Sequence, residues 1–513
     1  MKRFPTVLLA VLFALTGCGS KDNGLTTIKF WYAGATNDAG VPPADWLFVQ
    51  RVRDELGIEL KLTLLPFVES ERDKKINNAV ALHNLPDLFA VNRGTWLKLV
   101  DLGQVAAVDD MYAMMPRRTQ VIYTPESIKS TTIDGHSYAF ASPGSIPRNE
   151  GLLIRKDWLD RLGLPVPVTT DDFLRVMRAF TNDDPDGNGR KDTYGFGAFI
   201  ELYSHQEGLG RRFEPLFGAF GAEGTWNFTD HPGLSVHNPA YYDALQYVAT
   251  IVKEGLIDPN WITYKKDEFR NAWHTGRFGI MREQNAAYAS EANYVKFDKN
   301  FPDGEWIIVN PPVGPAGKQS TGVYIQGYRM LAVSAKAARQ GKKEAIARLL
   351  EWMSGDEGYF LLGWGQEGVN FVRDENGLPT ERGIPDPSKG FSKPEMRSYR
   401  QMMNYVMYNS PIELTSRYPE YITPYSHKRM SSYDALMAMD ALPYTPAIGS
   451  DTMPLPSQEL RLFYENGVLE FVTGRRALNR ETWAAWLAEF DELGGAQWEE
   501  EGLEFARRNG YIN

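Results

Sequence analysis

One cysteine, Cys18, stands in a chain of 513 residues, so no disulfide can form within it and its stability rests on burial of a core. Histidine is scarce as well, and the seven present show no pair at metal-ligand spacing. His-Glu-x-x-His, Gly-x-Ser-x-Gly and Walker-type phosphate loops are all missing, which leaves the usual catalytic signatures without a representative. Positive charge is not in excess. Lys and Arg number 55 against 65 Asp and Glu, a net charge of -10 that argues against nucleic acid as a principal ligand. Beyond the amino-terminal run, no apolar stretch approaches the ~20 residues needed to span hydrocarbon without charges. Internal repeats and low-complexity tracts are also lacking, so the chain reads as globular, with a length that suggests two or three domains.

What is present begins at the amino end. Lys2 and Arg3 precede the apolar stretch Val7 to Leu15, and Thr16 and Gly17 form a small-residue neck before Cys18. This pattern resembles a bacterial lipoprotein signal, in which the thiol just past the inserted segment takes a lipid before the preceding peptide is removed. The expected divisions at this end are a signal over 1–17 and a lipidated tether over 18–26. They place the mature protein outside the cytoplasm, held to the cell membrane by lipid.

Aromatic residues are abundant: 13 Trp, 25 Tyr and 26 Phe make up 12% of the chain. Flat rings with a polar edge suit the faces of sugars as well as an aromatic core. Along the chain, Thr27 to Tyr32 reads as a strand, Ala44 to Leu56 as a helix, and Ile58 to Leu65 as a strand. Ser70 to Leu82 is again helical, and Asp87 to Val91 is a short buried strand. This alternation predicts a parallel sheet with helices on its faces and ligand beyond the strands' carboxyl ends. A second such region starts at Leu152 to Arg155, followed by helices at Lys156 to Leu162 and at Asp171 to Thr181, the latter capped by Thr170. Helices are also predicted at Tyr241 to Glu254 and Lys342 to Met353, and Met330 to Ser334 reads as a strand. Gly355 to Tyr425 is rich in turn residues, and Ser457 to Gly510 is helical.

Together with the Cys18 signal, several segments are similar to the family 1 extracellular solute-binding proteins of ABC importers, the maltose-binding protein cluster. They are Leu152-Leu153-Ile154-Arg155-Lys156-Asp157-Trp158-Leu159-Asp160-Arg161-Leu162-Gly163, the loop Asp184 to Gly189, Gly276-Arg277-Phe278-Gly279-Ile280-Met281, and Phe471 to Gly474 with Trp483 and Leu493-Gly494-Gly495. Within that family the chain most resembles the large alginate-oligosaccharide-binding lipoproteins. The resemblance implies a type II periplasmic-binding-protein fold: two α/β lobes, each a mixed sheet flanked by helices, that close on ligand in the cleft between them. The expected lobes are 27–140 with 324–375, and 141–323 with 376–513, the second including a helical carboxyl-terminal part. The implied function is capture of an oligosaccharide by a monomeric lipoprotein and its delivery to the permease subunits of an importer, without catalysis. A binder of peptides or another solute, and a secreted glycoside hydrolase with paired carboxylates in a Trp-rich cleft, are the alternatives.

The loop Asp184-Pro185-Asp186-Gly187-Asn188-Gly189-Arg190-Lys191-Asp192 carries oxygen ligands at calcium-loop spacing. Side chains of Asp184, Asp186, Asn188 and Asp192, with the backbone carbonyl of Arg190, would converge on one hard cation, and Gly189 allows the sharp turn. Gly195 stands where an EF-hand has a bidentate Glu, so the expected role is a structural Ca2+ site. A plain Asx-turn loop is the alternative, favoured by Arg190 and Lys191.

The resemblance also nominates cleft residues. From the first lobe come Trp31, Asn37 and Asp38 after the first strand, and Asn92, Arg93 and Trp96 after the third. Asn149 and Glu150 precede the second lobe's first strand, and Gln284, Asn285 and Tyr288 follow Met281. Gln326 and Tyr328 precede the strand returning to the first lobe, and Trp273 and Trp364 complete the set. For each aromatic, core packing is the competing role. Arg93 could grip a carboxylate on an acidic sugar or pair with Asp87, so acidic and neutral sugars both stay open.

Overall fold

The computed structural model describes residues 24–34, 40–43, 45–66, 68–141, 149–201, 207–229, 231–323, 330–406, 410–445 and 453–512. Cys18 and the signal, Asn37, Asp38, Gln326 and Tyr328 lie outside them. In the first third of the chain come β1 (Thr26–Ala33), α1 (Leu47–Leu56), β2 (Ile58–Leu65), α2 (Glu69–Ala81), β3 (Leu88–Val91), α3 (Arg93–Asp101) and β4 (Phe140–Ala141). There follow β5 (Glu150–Arg155), α4 (Lys156–Leu162), α5 (Thr170–Asn182), β6 (Tyr194–Gly197), α6 (Pro239–Lys253), α7 (Lys266–His274), β7 (Phe278–Gln284) and β8 (Trp306–Val309). The last part contributes β9 (Met330–Val333), α8 (Lys343–Ser354), α9 (Asp356–Trp364), α10 (Gln458–Val472), α11 (Arg480–Glu492) and α12 (Gly495–Arg508).

Two mixed sheets organise these elements. The first has the order β2-β1-β3-β9-β4, with β1 parallel to β2 and β3, and β9 antiparallel to β3 and β4. Ile28, Phe30 and Tyr32 alternate along β1 into one core, as the period of two requires. The second sheet has the order β8-β5-β7-β6, where β5 runs antiparallel to both neighbours and β6 parallel to β7. All six residues of β5 are buried because both faces are covered: Leu152 and Ile154 enter one core and Leu153 another.

Two expectations need correction. The cap of α5 is Thr169 rather than Thr170: its hydroxyl accepts the Asp172 N–H at 3.1 Å, and the Asp172 carboxylate accepts the Thr169 N–H at 3.0 Å. The first lobe also extends past residue 375. Phe391, Met402, Met403, Tyr405 and Val406 pack into its core, and the Tyr405 hydroxyl accepts the Ala33 N–H at 2.7 Å. Arg118, fully buried, donates to the backbone carbonyls of Leu350 and Tyr405 and so holds this returning segment to the lobe. Turn-rich sequence hid it, since its apolar residues come singly between short turns.

The carboxyl-terminal helices belong to the second lobe's core through Trp483, Trp486, Phe490 and Trp498. α12 also reaches the first lobe, where Arg508 pairs with Asp134 at 2.7 Å and the Tyr511 hydroxyl donates to the Lys129 carbonyl at 2.8 Å. Its attachment to the second lobe includes His237, whose two ring nitrogens lie 3.0 Å from Asp491 and 2.9 Å from Glu499. Burial alone would lower the imidazole pKa, but the two carboxylates outweigh it and raise it above the ordinary 6.5. A group raised on folding stabilises most when protonated. The clamp's contribution is therefore complete below pH 6.5 and lost as pH rises through the elevated value. In thermal melts from pH 5 to 9, His237→Gln should remove that decline, and identical pH profiles for both proteins would refute the clamp.

Candidate functional site

Strand ends of the two sheets follow one another in sequence. β1, β2 and β3 finish at Ala33, Leu65 and Val91, beside the start of β9 at Met330, which pairs with both Val91 and Ala141. On the second sheet β5 begins at Glu150 opposite the end of β7 at Gln284. β4 on the first sheet ends at Ala141 and β5 on the second begins at Glu150, while β8 on the second ends at Val309 and β9 on the first begins at Met330; strand ends of this kind are where α/β sheets hold ligands.

On the first lobe's edge, Asn92 caps α3: its side-chain oxygen accepts the Thr95 N–H at 2.8 Å, and its amide donates to Asp73 at 2.6 and 2.7 Å. Trp31 is half-buried, with the Lys75 ammonium 5.2 Å from its ring centre. Arg93 is buried and committed, its guanidinium 4.5 Å above Trp96 and donating to the Ser130 carbonyl; its alternative partner Asp87 is held instead by Lys342 at 3.0 Å.

Four nominated aromatics turn out to be core residues. Trp96, Trp273 and Trp364 are fully buried and bring no ring face to the cleft. The Trp96 indole N–H donates to the Tyr138 carbonyl at 3.2 Å, Trp273 packs edge-on to Trp306, and the Trp364 indole N–H donates to Ser416 at 3.0 Å. Tyr288 is buried too, its hydroxyl bonded to the Trp306 carbonyl at 2.9 Å. Their apolar neighbours come from distant segments, which is why a local reading could not separate stacking from packing.

The second lobe's edge carries Asn149, Glu150, Gln284 and Asn285. Asn149 and Gln284 are partly exposed, and the Asn149 carbonyl accepts the Asn285 N–H at 2.9 Å. Asn285 is buried; its amide donates to the Ser432 carbonyl at 3.0 Å, while its side-chain oxygen has no hydrogen-bond partner among the described residues. Glu150 belongs to a larger arrangement that sequence reasoning missed. Arg270 lies 3.3 Å from Glu283, Glu283 3.2 Å from Arg212, and Arg212 2.8 Å from Glu201. Glu201 lies 3.4 Å from Arg211, Arg211 pairs with Glu150, and Glu150 lies 3.5 Å from Arg282. Charges alternate along this chain from Arg270 to Arg282. Burial pushes the Glu283 carboxyl up, but Arg212 and Arg270 overcome it and hold it below its ordinary value. Burial, aided by Arg212, lowers Arg282 to about 10 despite Glu214 and Glu201. The signal available in the sequence was the adjacent pair Arg211-Arg212 flanked by Leu209, Gly210 and Phe213.

The acidic loop lies at the opposite end of the second sheet, just before β6. The Asn188 amide bridges Asp186 at 2.7 Å and Asp192 at 3.2 Å, while Asp184 accepts the backbone N–H groups of Asn188 and Gly189, each at 3.0 Å. Gly187 and Gly189 both take left-handed φ, +71° and +74°. The Asn188 amide thus links Asp186 and Asp192 across the loop. Arg190 enters through its backbone, whose N–H donates to the Asn188 side-chain oxygen at 2.7 Å. Among the described residues no group of three or more His, Cys, Asp or Glu is compact enough to hold a metal ion. Position twelve cannot close the set: a Cβ on Gly195 would meet the Met177 backbone at 2.5 Å.

No protein-family model matches the chain. It is 26% identical over 359 residues to the fructooligosaccharide ABC transporter substrate-binding protein FusA of Streptococcus pneumoniae, covering 61% of each chain. It is 24% identical over 349 residues to the polygalacturonan/rhamnogalacturonan-binding protein YtcQ of Bacillus subtilis, covering 65% of each. Lipoprotein LipO of the same organism is 26% identical over 325 residues, 61% of this chain and 62% of LipO. The chain therefore spans under two thirds of the length of these curated relatives. Among solved structures, an HMO-binding solute-binding protein of Bifidobacterium longum infantis superposes with a TM-score of 0.68 at 16% identity, over 95% of this chain and 99% of that one. Alginate-binding protein AlgQ2, in a structure without calcium ion, gives 0.61 at 16% identity, over 94% and 98%.

Proposed function

We propose that this chain, a homologue of ABC-transporter substrate-binding proteins with their two-lobed fold, captures an oligosaccharide in the cleft and hands it to the permease of an importer. The observation that carries this is a pair of mixed sheets whose strand ends are linked in sequence, Ala141 to Glu150 and Val309 to Met330, in a chain similar to a fructooligosaccharide-binding and a polygalacturonan-binding protein. Asn149 and Gln284, both partly exposed, supply hydrogen-bonding groups for sugar hydroxyls on one side, and Trp31 and Asn92 lie toward the other. Lipid at Cys18 would hold the protein on the outer side of the cytoplasmic membrane or in the periplasm, as a monomer near its permease. Among the described residues no helix is long and apolar enough to cross a membrane.

The test is a thermal-shift screen across oligosaccharides. A true ligand adds about 2.7 kcal/mol of stability at a hundredfold excess over Kd, so the melting temperature climbs with its concentration, and it is recovered unchanged. Stabilisation by peptides alone, or turnover of the sugar, would refute capture of carbohydrate.

Calcium belongs to the same reading. Asp184, Asp186, Asn188 and Asp192, with the Arg190 carbonyl, would hold a Ca2+ that neutralises the loop and fixes it against the start of β6. Burial and the neighbouring carboxylates raise the Asp186 pKa, while the Gly189 N–H lowers that of Asp184, as expected of crowded acids competing for few donors. Chelation should lower the melting temperature and leave sugar affinity in the remote cleft unchanged. Equal melting of chelated and calcium-loaded protein would remove the site.

A further inference from the structure

We infer that the buried carboxyls of Glu214 and Glu223 clasp the linker between β8 and β9 to the second lobe, so that release of this linker, and the lobe movement it permits, depends on protons. The linker runs from one sheet to the other over 310–329 and is described to Val323. Its residues 320–323 lie between two other segments. On one side Thr321 donates its N–H to the Pro443 carbonyl at 2.8 Å, Val323 bridges to Thr445, and the Thr445 hydroxyl donates to Ser320 at 3.1 Å. On the other side is 214–224, whose Leu216, Phe217 and Ala222 belong to the second lobe's core. Contact there is close: a Cβ on Gly322 would stand 2.7 Å from the Glu214 side chain, and one on Gly218 would strike the Ser320 carbonyl.

The two acids reach the linker from this side, and both are buried. Glu214 accepts the Gly224 N–H on its two oxygens at 3.1 and 3.0 Å and also accepts the Val323 N–H. Glu223 is within hydrogen-bond reach of the Ser320 hydroxyl, and its Oε2 has no hydrogen-bond partner among the described residues. Facing the pair are Lys318 from the linker, Arg282 from β7, and the hydroxyls of Tyr241 on α6 and Tyr464 on α10, with Glu207 beyond them. Burial outweighs the two cations. It raises the Glu214 carboxyl against Arg282, and, with Glu214 adding to it, pushes Glu223 up to about 8 against Ser320 and Lys318. A carboxyl kept neutral in the clasp returns toward its ordinary 4.5 when the linker opens to water. Opening therefore grows easier as pH climbs from 4.5 and levels off above about 8. Glu207, pushed up to about 7 by burial, titrates in the same window, but its partners are Thr225, Arg461 and Glu465, none of them on the linker.

Amide hydrogen exchange of the full mature chain, read by mass spectrometry from pH 5.5 to pH 8 and divided by the intrinsic rate at each pH, tests this without any ligand. Opening at 320–323 should increase at least about tenfold across the range, while the amides of β5 keep a constant protection. Glu223→Gln should remove most of the increase, and Glu207→Gln should leave it in place. A flat wild-type profile at 320–323, or an undiminished increase in Glu223→Gln, overturns the clasp. Infrared difference spectra of the Glu207→Gln protein give a second reading that does not need Glu223→Gln to fold. They should show a neutral carboxyl at pH 6.5 that is lost by pH 9, and absence of that band overturns the clasp as well.

Discussion

Glu283→Ala is expected to cost about 3–5 kcal/mol of stability, the penalty for removing one partner from a buried ionic arrangement. The carboxylate is fully buried between Arg212 and Arg270 and also accepts the Gln284 N–H at 2.9 Å, so alanine leaves two guanidinium groups without the charge between them. Arg212 cannot turn to water: it too is buried, its guanidinium 4.8 Å from the Phe199 ring. Because the Glu283 carboxyl is held below its ordinary 4.5, its contribution is complete above that pH and is lost as pH falls through the lowered value. Urea unfolding at pH 7 and pH 4 measures both. Glu283→Leu with Arg212→Met should lose much less than the sum of the singles, since an apolar replacement of a buried pair is often close to neutral. A loss below about 1 kcal/mol for Glu283→Ala would show that the arginines separate without cost.

The contrast between this arrangement and the strands marks what could be read from sequence. Ile58 to Leu65 and Lys156 to Leu162 fall where periodicity and flanking glycines placed them, because neighbours in sequence decide strand and helix. The acidic loop was legible for the same reason, as Asp184, Asp186 and Asn188 meet within one turn. The charged chain was not. Glu150, Arg212 and Glu283 are brought together by three separate segments, and nothing local to any of them announces the others. Trp96, Trp273 and Trp364 failed in the opposite sense. Each is a large aromatic that could have stacked on a ligand, yet its ring turns into a core assembled from distant residues. The return of 391–406 to the first lobe was invisible because it is fixed by tertiary partners, Arg118 and Ala33, on the far side of the other lobe's sequence.

Trp486→Ala should be as severe as Glu283→Ala, at about 3–5 kcal/mol, for a different reason: it opens a cavity in an aromatic stack. The indole is fully buried in α11, 5.0 Å from Trp483, 5.7 Å from Phe490 and 5.6 Å from Phe463 on α10, the last pair almost parallel at 5°. Contact with α10 depends on Gly467, since a Cβ there would come within 2.2 Å of the indole nitrogen. This makes the two positions interdependent with a predicted change of sign. Gly467→Ala in the wild-type protein should destabilise, because the rigid ring has no room to withdraw from its neighbours. In the Trp486→Ala background the methyl enters vacated space, and alanine's better helix propensity should instead recover up to about 1 kcal/mol. A double-mutant cycle by urea unfolding reads the coupling directly. Additive effects would mean that α10 and α11 separate to admit the methyl. Sugar affinity of the folded variants should match wild type, since these rings pack within the second lobe's core and none lies at a strand end facing the cleft.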